Sequence, residues 1–353
     1  LGNLTIKNGT LSFTDTSAGD PSFGWGSYTV RNEGNLVVEN GTIEHLGEQA
    51  FAKHCIMAIF QYCGSTTING GTISTPNYRS ARLWKGDMTI NGGTFDGQVW
   101  VQAVDNTAKL TVNGGTFEPN GNDASAVFVT NSQYDVQFAV TDGTFNGKVG
   151  CSDATKLAGA ITGGKFTETA KNGTNAALLA TGLAFGEADA NGYYDVEDDP
   201  ATHYIATLDE LKAFRDAVNT GANYYAGVTV YLAADIDMAG ENWVGIGSAT
   251  ADHGFMGNFD GNNFKIKNLT IDNPALDSEG YAYAGLFAVT EGIDKDNQNS
   301  IKNLTIENVT INTTGHIVSA AIAYPYYTIV DNVKVCGDIK INGGDYTAGV
   351  LAY

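Results

Sequence analysis

The sequence predicts an all-β chain: a right-handed parallel β-helix forming two consecutive solenoid domains, with one capping α-helix at about residues 207–219. Three observations predict it. A short glycine-rich corner phrase recurs along the first half, apolar and polar residues alternate on either side of it, and one amphipathic helix precedes a second set of repeats.

The corner phrase comes first. Aligned on the residue after the glycine, it reads IKNGTLSF at Thr10, VENGTIEH at Thr42, INGGTIST at Thr72 and INGGTFDG at Thr94. It continues as VNGGTFEP at Thr116, VTDGTFNG at Thr144 and ITGGKFTE at Lys165. Successive spacings are 32, 30, 22, 22, 28 and 21 residues. A period of that size with variable insertions fits a solenoid whose loops vary while its core does not. Asn and Gly tolerate left-handed backbone angles, so Asn69-Gly70-Gly71 is expected to turn the chain sharply. Alternation then places Ile68, Ile90, Val112, Val140 and Ile161 on one inward column. Leu11, Ile43, Ile73, Phe95, Phe117, Phe145 and Phe166 form a second, with rungs about 4.8 Å apart.

After ITGGKFTETA the pattern fades into an acidic, turn-rich stretch ending at DVEDDP, which sets an expected boundary near residue 200: one domain at 1–200, another at 201–353. The helix follows in TLDELKAFRDAVNTG. Thr207 and Glu210 make a capping box, Leu208, Leu211, Phe214 and Val218 an apolar stripe, and Gly221 a stop. Such a helix suits a lid over the open end of a second solenoid. Beyond it FKIKNLTI, IKNLTIENVTI and VDNVKVCGDIKI align at Leu269, Leu304 and Val333, and small-residue strands recur at Ala284, Ala320 and Ala348.

The stretches DIDMAGENWVGIG, FMGNFDGNNFKIKNLTI and AGLFA resemble the GLUG-type repeats of bacterial cell-surface proteins. The TINGGTF rungs are similar to those of large surface proteins of gut bacteria. Together the two resemblances cover nearly the whole chain. They imply a bacterial extracellular or cell-surface location, reached through a signal peptide lying outside this stretch, and they bring no catalytic residues. Related repeats also occur as non-catalytic segments of secreted proteases; no H-E-x-x-H is present here.

Composition narrows the partners. The formal charge is −20, from 39 acidic and 19 basic residues, and only Arg31, Arg79, Arg82 and Arg215 are arginines. Nucleic acid needs clustered cations, so it is excluded as a partner. No run approaches a membrane span. Cys55, Cys63, Cys151 and Cys336 show neither zinc nor disulfide spacing and read as free, buried thiols. The sequons at Asn3, Asn8 and Asn268 are what the corner chemistry produces by itself.

Parallel β-helices also host polysaccharide lyases and pectin hydrolases, so an enzyme of that type is the alternative to an adhesin or spacer. The pectin-hydrolase motifs are not met: Asp198-Asp199 lies in the linker and Gly315-His316 lacks its following glycine. Arg82, Lys85 and Asp87 in ARLWKGD could be read as a lyase's basic and acidic set, but surface charges explain them more simply. The five histidines offer no close metal pair. Asp294 and Asp296 resemble half a calcium loop without its glycine or terminal Glu. No cofactor or metal is expected, and no catalytic residue is assigned.

What remains is a candidate ligand-binding face. Counting back from Ile68 and Ile90 puts Tyr62 and Trp84 at equivalent positions. In QVWVQA and AVFVTN the valines face inward, so Trp100 and Phe128 face out on the same sheet. Tyr62, Trp84, Trp100 and Phe128, with Arg82 and Gln102 beside them, form an outward aromatic column suited to carbohydrate or to a host surface protein. A one-residue shift in register would instead send these rings into the core.

Overall fold

The computed structural model describes residues 2–14, 27–46, 56–119, 125–247, 254–274, 276 and 280–352. The chain is mostly β, with long parallel ladders, and divides into two compact units, Leu1–Asp199 and Pro200–Tyr353.

In the first unit each of the first six described rungs supplies one strand to each of three parallel ladders. The first ladder runs through Asn3–Ile6, Asn35–Val38, Ser65–Ile68 and Asp87–Ile90, then the opening halves of Lys109–Glu118 and Gln137–Phe145. The second contains the residues after the corner. Thr10, Thr42, Thr72, Thr94, Thr116, Thr144 and Lys165 pair in that order, so every spacing read from the sequence is a rung spacing. The third runs through Ser27–Asn32, Ile56–Gln61, the closing halves of Thr72–Leu83 and Thr94–Gln102, then Ser125–Thr130 and Lys148–Cys151.

Both expected columns fill the interior. Ile68, Ile90, Val112, Val140 and Ile161 are fully buried, as are Ile43, Ile73, Phe95, Phe117, Phe145 and Phe166. The four phenylalanine rings stack face to face at 4.9, 4.8 and 4.7 Å. Leu11 departs from this: on the outermost described strand of its ladder, it remains 41% exposed.

The corner works differently from the simple turn expected. Only the second glycine of the phrase is left-handed; Gly93, for instance, has φ +96°. The first glycine answers a close approach, because a Cβ on Gly92 would lie 2.7 Å from the Asn69 carbonyl oxygen of the preceding rung. The asparagine climbs between rungs. Asn113 Nδ2 donates to Asn91 Oδ1 and Asn91 Nδ2 to Asn69 Oδ1, both at 2.9 Å, while Asn69 donates to the Glu39 carboxylate at 3.0 Å. The asparagine thus builds a side-chain ladder, both glycines give clearance to the rung below, and the second also makes the left-handed bend.

The parallel stacking stops at an antiparallel pair. Lys165–Thr167 pairs antiparallel with Tyr193–Asp198, which pairs antiparallel with Leu183–Ala188, and Phe185 closes the ring stack edge-on against Phe166 at 5.0 Å. Between them sits a short helix, α1 (Glu168–Gly173).

Among its described residues the second unit has four parallel sheets, led by Thr202–Ile205, Ile236–Asp237, Tyr283–Ala284 and Phe287–Glu291. Helix α2, Leu208–Asn219, carries the expected capping box of Thr207 and Glu210; its C-cap is Thr220, followed by the left-handed Gly221 with φ +76°. Leu211, Phe214 and Val218 are buried, and Phe214 packs on Tyr225, Phe255 and Phe259.

One alignment is corrected. Leu304 and Val333 are equivalent, since Thr305 opposes Lys334, but Leu269 opposes Val309 rather than Leu304. The hexapeptide IKNLTI occurs twice and straddles different corners. At 266–271 it lies within one strand that bends at Asn268, whereas at 301–306 Asn303 separates two strands. Ala348 likewise opposes Ser319, one residue from the expected Ala320. Here Asn does take the left-handed role: Asn268, Asn303 and Asn308 have φ of +58°, +52° and +62°. Asn268 also donates to Asp237 and accepts from Asn308, which accounts for that sequon as corner chemistry.

The cysteines are a second correction. Cys63, Cys151 and Cys336 are free, but the first two are half-buried and Cys336 is exposed. Cys55 lies outside the described residues. Among the described residues no helix is long and apolar enough to cross a membrane.

Candidate functional site

The outer surface of the third ladder holds the aromatic residues singled out above. Strand alternation decides their direction. Val99 and Val101 are fully buried, as are Ala81, Leu83, Val127 and Val129, so the residues between them face away from the core. Tyr62, Trp84, Trp100, Phe128 and Gln102 are all half-buried on that outer side. The register shift that would have buried the rings does not occur.

They form two adjacent rows. Phe60, Arg82, Trp100 and Phe128 oppose one another in successive rungs, and Arg31 precedes Phe60. Tyr62 and Trp84 lie two residues further on, one step past the Gln61–Leu83 pair, in line with Gln102 and Thr130. Within the second row the Tyr62 ring lies 5.6 Å from Trp84, and across the rows Phe60 meets Trp84 edge-on at 5.0 Å. The Trp100 indole N–H donates to Thr130 Oγ1 at 3.0 Å. Phe128 leans onto the next rung, where a Cβ on Gly150 would come within 3.2 Å of its ring.

Arginine sits among these rings. The Arg82 guanidinium carbon lies 4.9 Å from the ring centres of both Trp84 and Trp100 and 5.5 Å from Phe60, and it donates to Gln102 Oε1. Arg79 covers Trp100 at 4.0 Å and Arg31 covers Tyr62 at 4.4 Å. Each is a cation–π contact, in which the ring's negative face attracts the guanidinium. Arg82, expected beside the column at the surface, is instead only 7% exposed, wedged between the rings. Its burial is tolerable because rings and an amide oxygen replace part of its hydration.

Three members escaped the sequence reading. Phe60 shares the parity of Tyr62 and could have been found from it. Arg31 lies in a strand without a corner phrase to align on. Arg79 reaches the outer face because the register slips between the Arg79–Gln98 and Ala81–Val99 pairs, an irregularity that re-aims side chains and that no residue pattern announces.

At the lower edge of the face Lys85 ion-pairs with Asp105 at 3.0 Å, which raises the lysine's affinity for its proton. Hydrogen bonds from the Thr107 hydroxyl and backbone N–H, with Lys85 adding to them, hold Asp105 down to about 2. Lys85 is thus committed to a carboxylate as an ordinary surface charge, not poised as a base.

Other chemistry-bearing groups are taken up in local contacts. Asp294 accepts from the backbone N–H groups of Asp296 and Asn297, and Asp296 pairs with Lys295, so the half calcium loop is closed on itself. Among the described residues no three His, Cys, Asp or Glu side chains converge to hold a metal ion. Ser27 Oγ lies 2.7 Å from His45 Nε2, but His45 is fully buried, its ring 5.3 Å from that of Phe13. A cavity of about 420 Å³ on the first ladder is lined by Lys109, Thr111, Val136, Phe138, Lys156 and Leu157, with no carboxylate among its lining residues.

No protein-family model, no curated protein and no solved structure matches the chain.

Proposed function

We propose that this chain is part of a bacterial cell-surface or secreted protein, built as two consecutive right-handed parallel β-helices, that acts as a non-enzymatic adhesin or ligand-binding spacer toward carbohydrate. One observation carries this reading: Tyr62, Trp84, Trp100 and Phe128 line the outer side of one sheet across successive rungs. Flat rings repeated at strand spacing suit a repeating, extended ligand, and apolar sugar faces stack on such rings. Contiguous aromatic surface is costly in water unless it serves contact. The rung pattern and its likeness to NGGTF-type and GLUG-type surface proteins support the location and the spacer role.

The test is a glycan-array screen of the purified protein, repeated with Trp84→Ala and Trp100→Ala. Binding to at least one glycan class, lost in both variants while the thermal melt is unchanged, is the expected result. No glycan bound at all would overturn the reading. Reproducible release of reducing or unsaturated ends would replace it with the polysaccharide-active enzyme.

A further inference from the structure

We infer that the ligand of this face is an acidic glycan, a polymer bearing uronate carboxylates, held by stacking on the tryptophan and tyrosine rings and by Arg31 and Arg79. The inference rests on the carbohydrate reading above and names the ligand's charge.

The chain has four arginines and a formal charge of −20. Three of the four, Arg31, Arg79 and Arg82, lie on this one sheet face, each over an aromatic ring. Ring stacking alone needs no arginine. The chain's scarcest cation is thereby gathered on one face, which suits an anionic ligand better than a neutral one.

The arginines divide by exposure. Arg82 is buried between Phe60, Trp84 and Trp100 and is a positioning residue that fixes the rings. The Arg31 side chain is 39% exposed and Arg79 is half-buried, so both reach the surface. A guanidinium held over a ring keeps its N–H donors at its periphery, in a planar fork that matches a carboxylate's two oxygens. Arg31 already ion-pairs with the Glu33 carboxylate through one oxygen, the contact that an incoming carboxylate would replace.

A second observation points the same way. The Trp84 indole N–H is buried and has no hydrogen-bond acceptor among the described residues. Buried donors are almost always satisfied, and one left over beside arginines suits an acceptor arriving with a ligand. Long-range attraction contributes nothing, because the chain as a whole repels polyanions. At about 0.15 M salt that repulsion is screened beyond roughly 8 Å, leaving short-range contacts to decide binding.

The experiment compares one backbone with and without its charge. Calorimetric titration at about 0.15 M salt uses polygalacturonate, its fully methyl-esterified form, and dextran sulfate as a polyanion of different shape. The expected result is polygalacturonate binding at least about tenfold tighter than either, as one or two charge-assisted contacts would give. Arg79→Gln and Arg31→Gln should each lose that advantage while leaving any weak binding of the ester unchanged. Both proteins' melts are recorded, and Arg79→Lys, which keeps the charge but loses the fork, should fall between. Equal binding of polygalacturonate and its ester overturns the acidic-ligand inference and leaves the carbohydrate reading standing. Dextran sulfate binding as tightly as polygalacturonate overturns it too, since charge alone would then suffice. Binding of none of the three, with no hit on the wider array, overturns both.

Discussion

The rings of Phe95 and Phe117 lie 4.9 Å apart and within 11° of parallel, although 22 residues separate them in the chain. Their separation is the strand spacing itself, so the stack is a direct product of placing one residue type at one position in successive rungs. Face-to-face stacking is not the geometry two free rings prefer; here the backbone ladder imposes it.

Removing a ring from the middle of that stack leaves a cavity its neighbours cannot fill. Phe117→Ala should therefore cost about 3–5 kcal/mol. Leu11→Ala, at a position already 41% exposed, should cost under about 1 kcal/mol. Denaturant melts of the two variants give the comparison, and similar losses would mean that the columns are not one continuous core.

Both glycines of the corner clear the rung below, and one of them also bends the chain. Gly92→Ala drives a Cβ into the Asn69 carbonyl, whereas Gly93→Ala strains a left-handed backbone and also brings its Cβ to 2.9 Å from the Gly71 carbonyl oxygen. Asn91→Ala only interrupts the side-chain ladder and should cost about 1 kcal/mol. Both glycine variants should be worse than that, and Gly93→Asn milder than Gly93→Ala because Asn accepts positive φ. Thermal melts of the four proteins would rank them.

Helix α2 should behave as a cover for the core of its unit. Phe214→Asp places a charge against Tyr225, Phe255 and Phe259, and should unfold or aggregate the second unit. Thr207→Ala, removing only the cap, should cost about 1 kcal/mol and leave the fold intact. Hydrogen exchange read separately over residues 1–199 and 200–353 distinguishes local from global loss.

Acid should reveal the Asp105 contacts. Its pKa is depressed in the folded chain, so its stabilising effect is fully present above the unfolded carboxylate range and disappears as pH falls through about 2. Asp105→Asn should thus lower stability at pH 7, by about 1 kcal/mol or less because the group is largely solvated. That difference should vanish near pH 2. A titration of the Asp105 side-chain carbon by NMR with a midpoint near 4 would contradict the assigned hydrogen bonds.

Much of this is legible in the residue pattern, and the exceptions have physical causes. The first unit's rungs can be read because a glycine that must be left-handed anchors each one, and the strand period of two does the rest. The second unit misleads because IKNLTI fits two corners equally well: its Asn can bend within a strand, as at Asn268, or between strands, as at Asn303. The side chains of Trp84 and Trp100 follow parity and are placed correctly as outward. What parity cannot supply is depth. Nothing in ARLWKGD distinguishes an arginine in solvent from one clasped by three rings, and the bulge that delivers Arg79 is a property of the pairing, not of either strand.

The antiparallel strand Tyr193–Asp198 closing on Lys165–Thr167 has a consequence for how such a chain can change its length over generations. Any parallel rung is a template for another like itself, and copying a stretch such as residues 87–108 would add one more ring to the stack and about 4.8 Å to its height. The hairpin is not such a template. Growth by duplication is confined to the rungs before it, and the terminator is inherited unchanged however many rungs precede it.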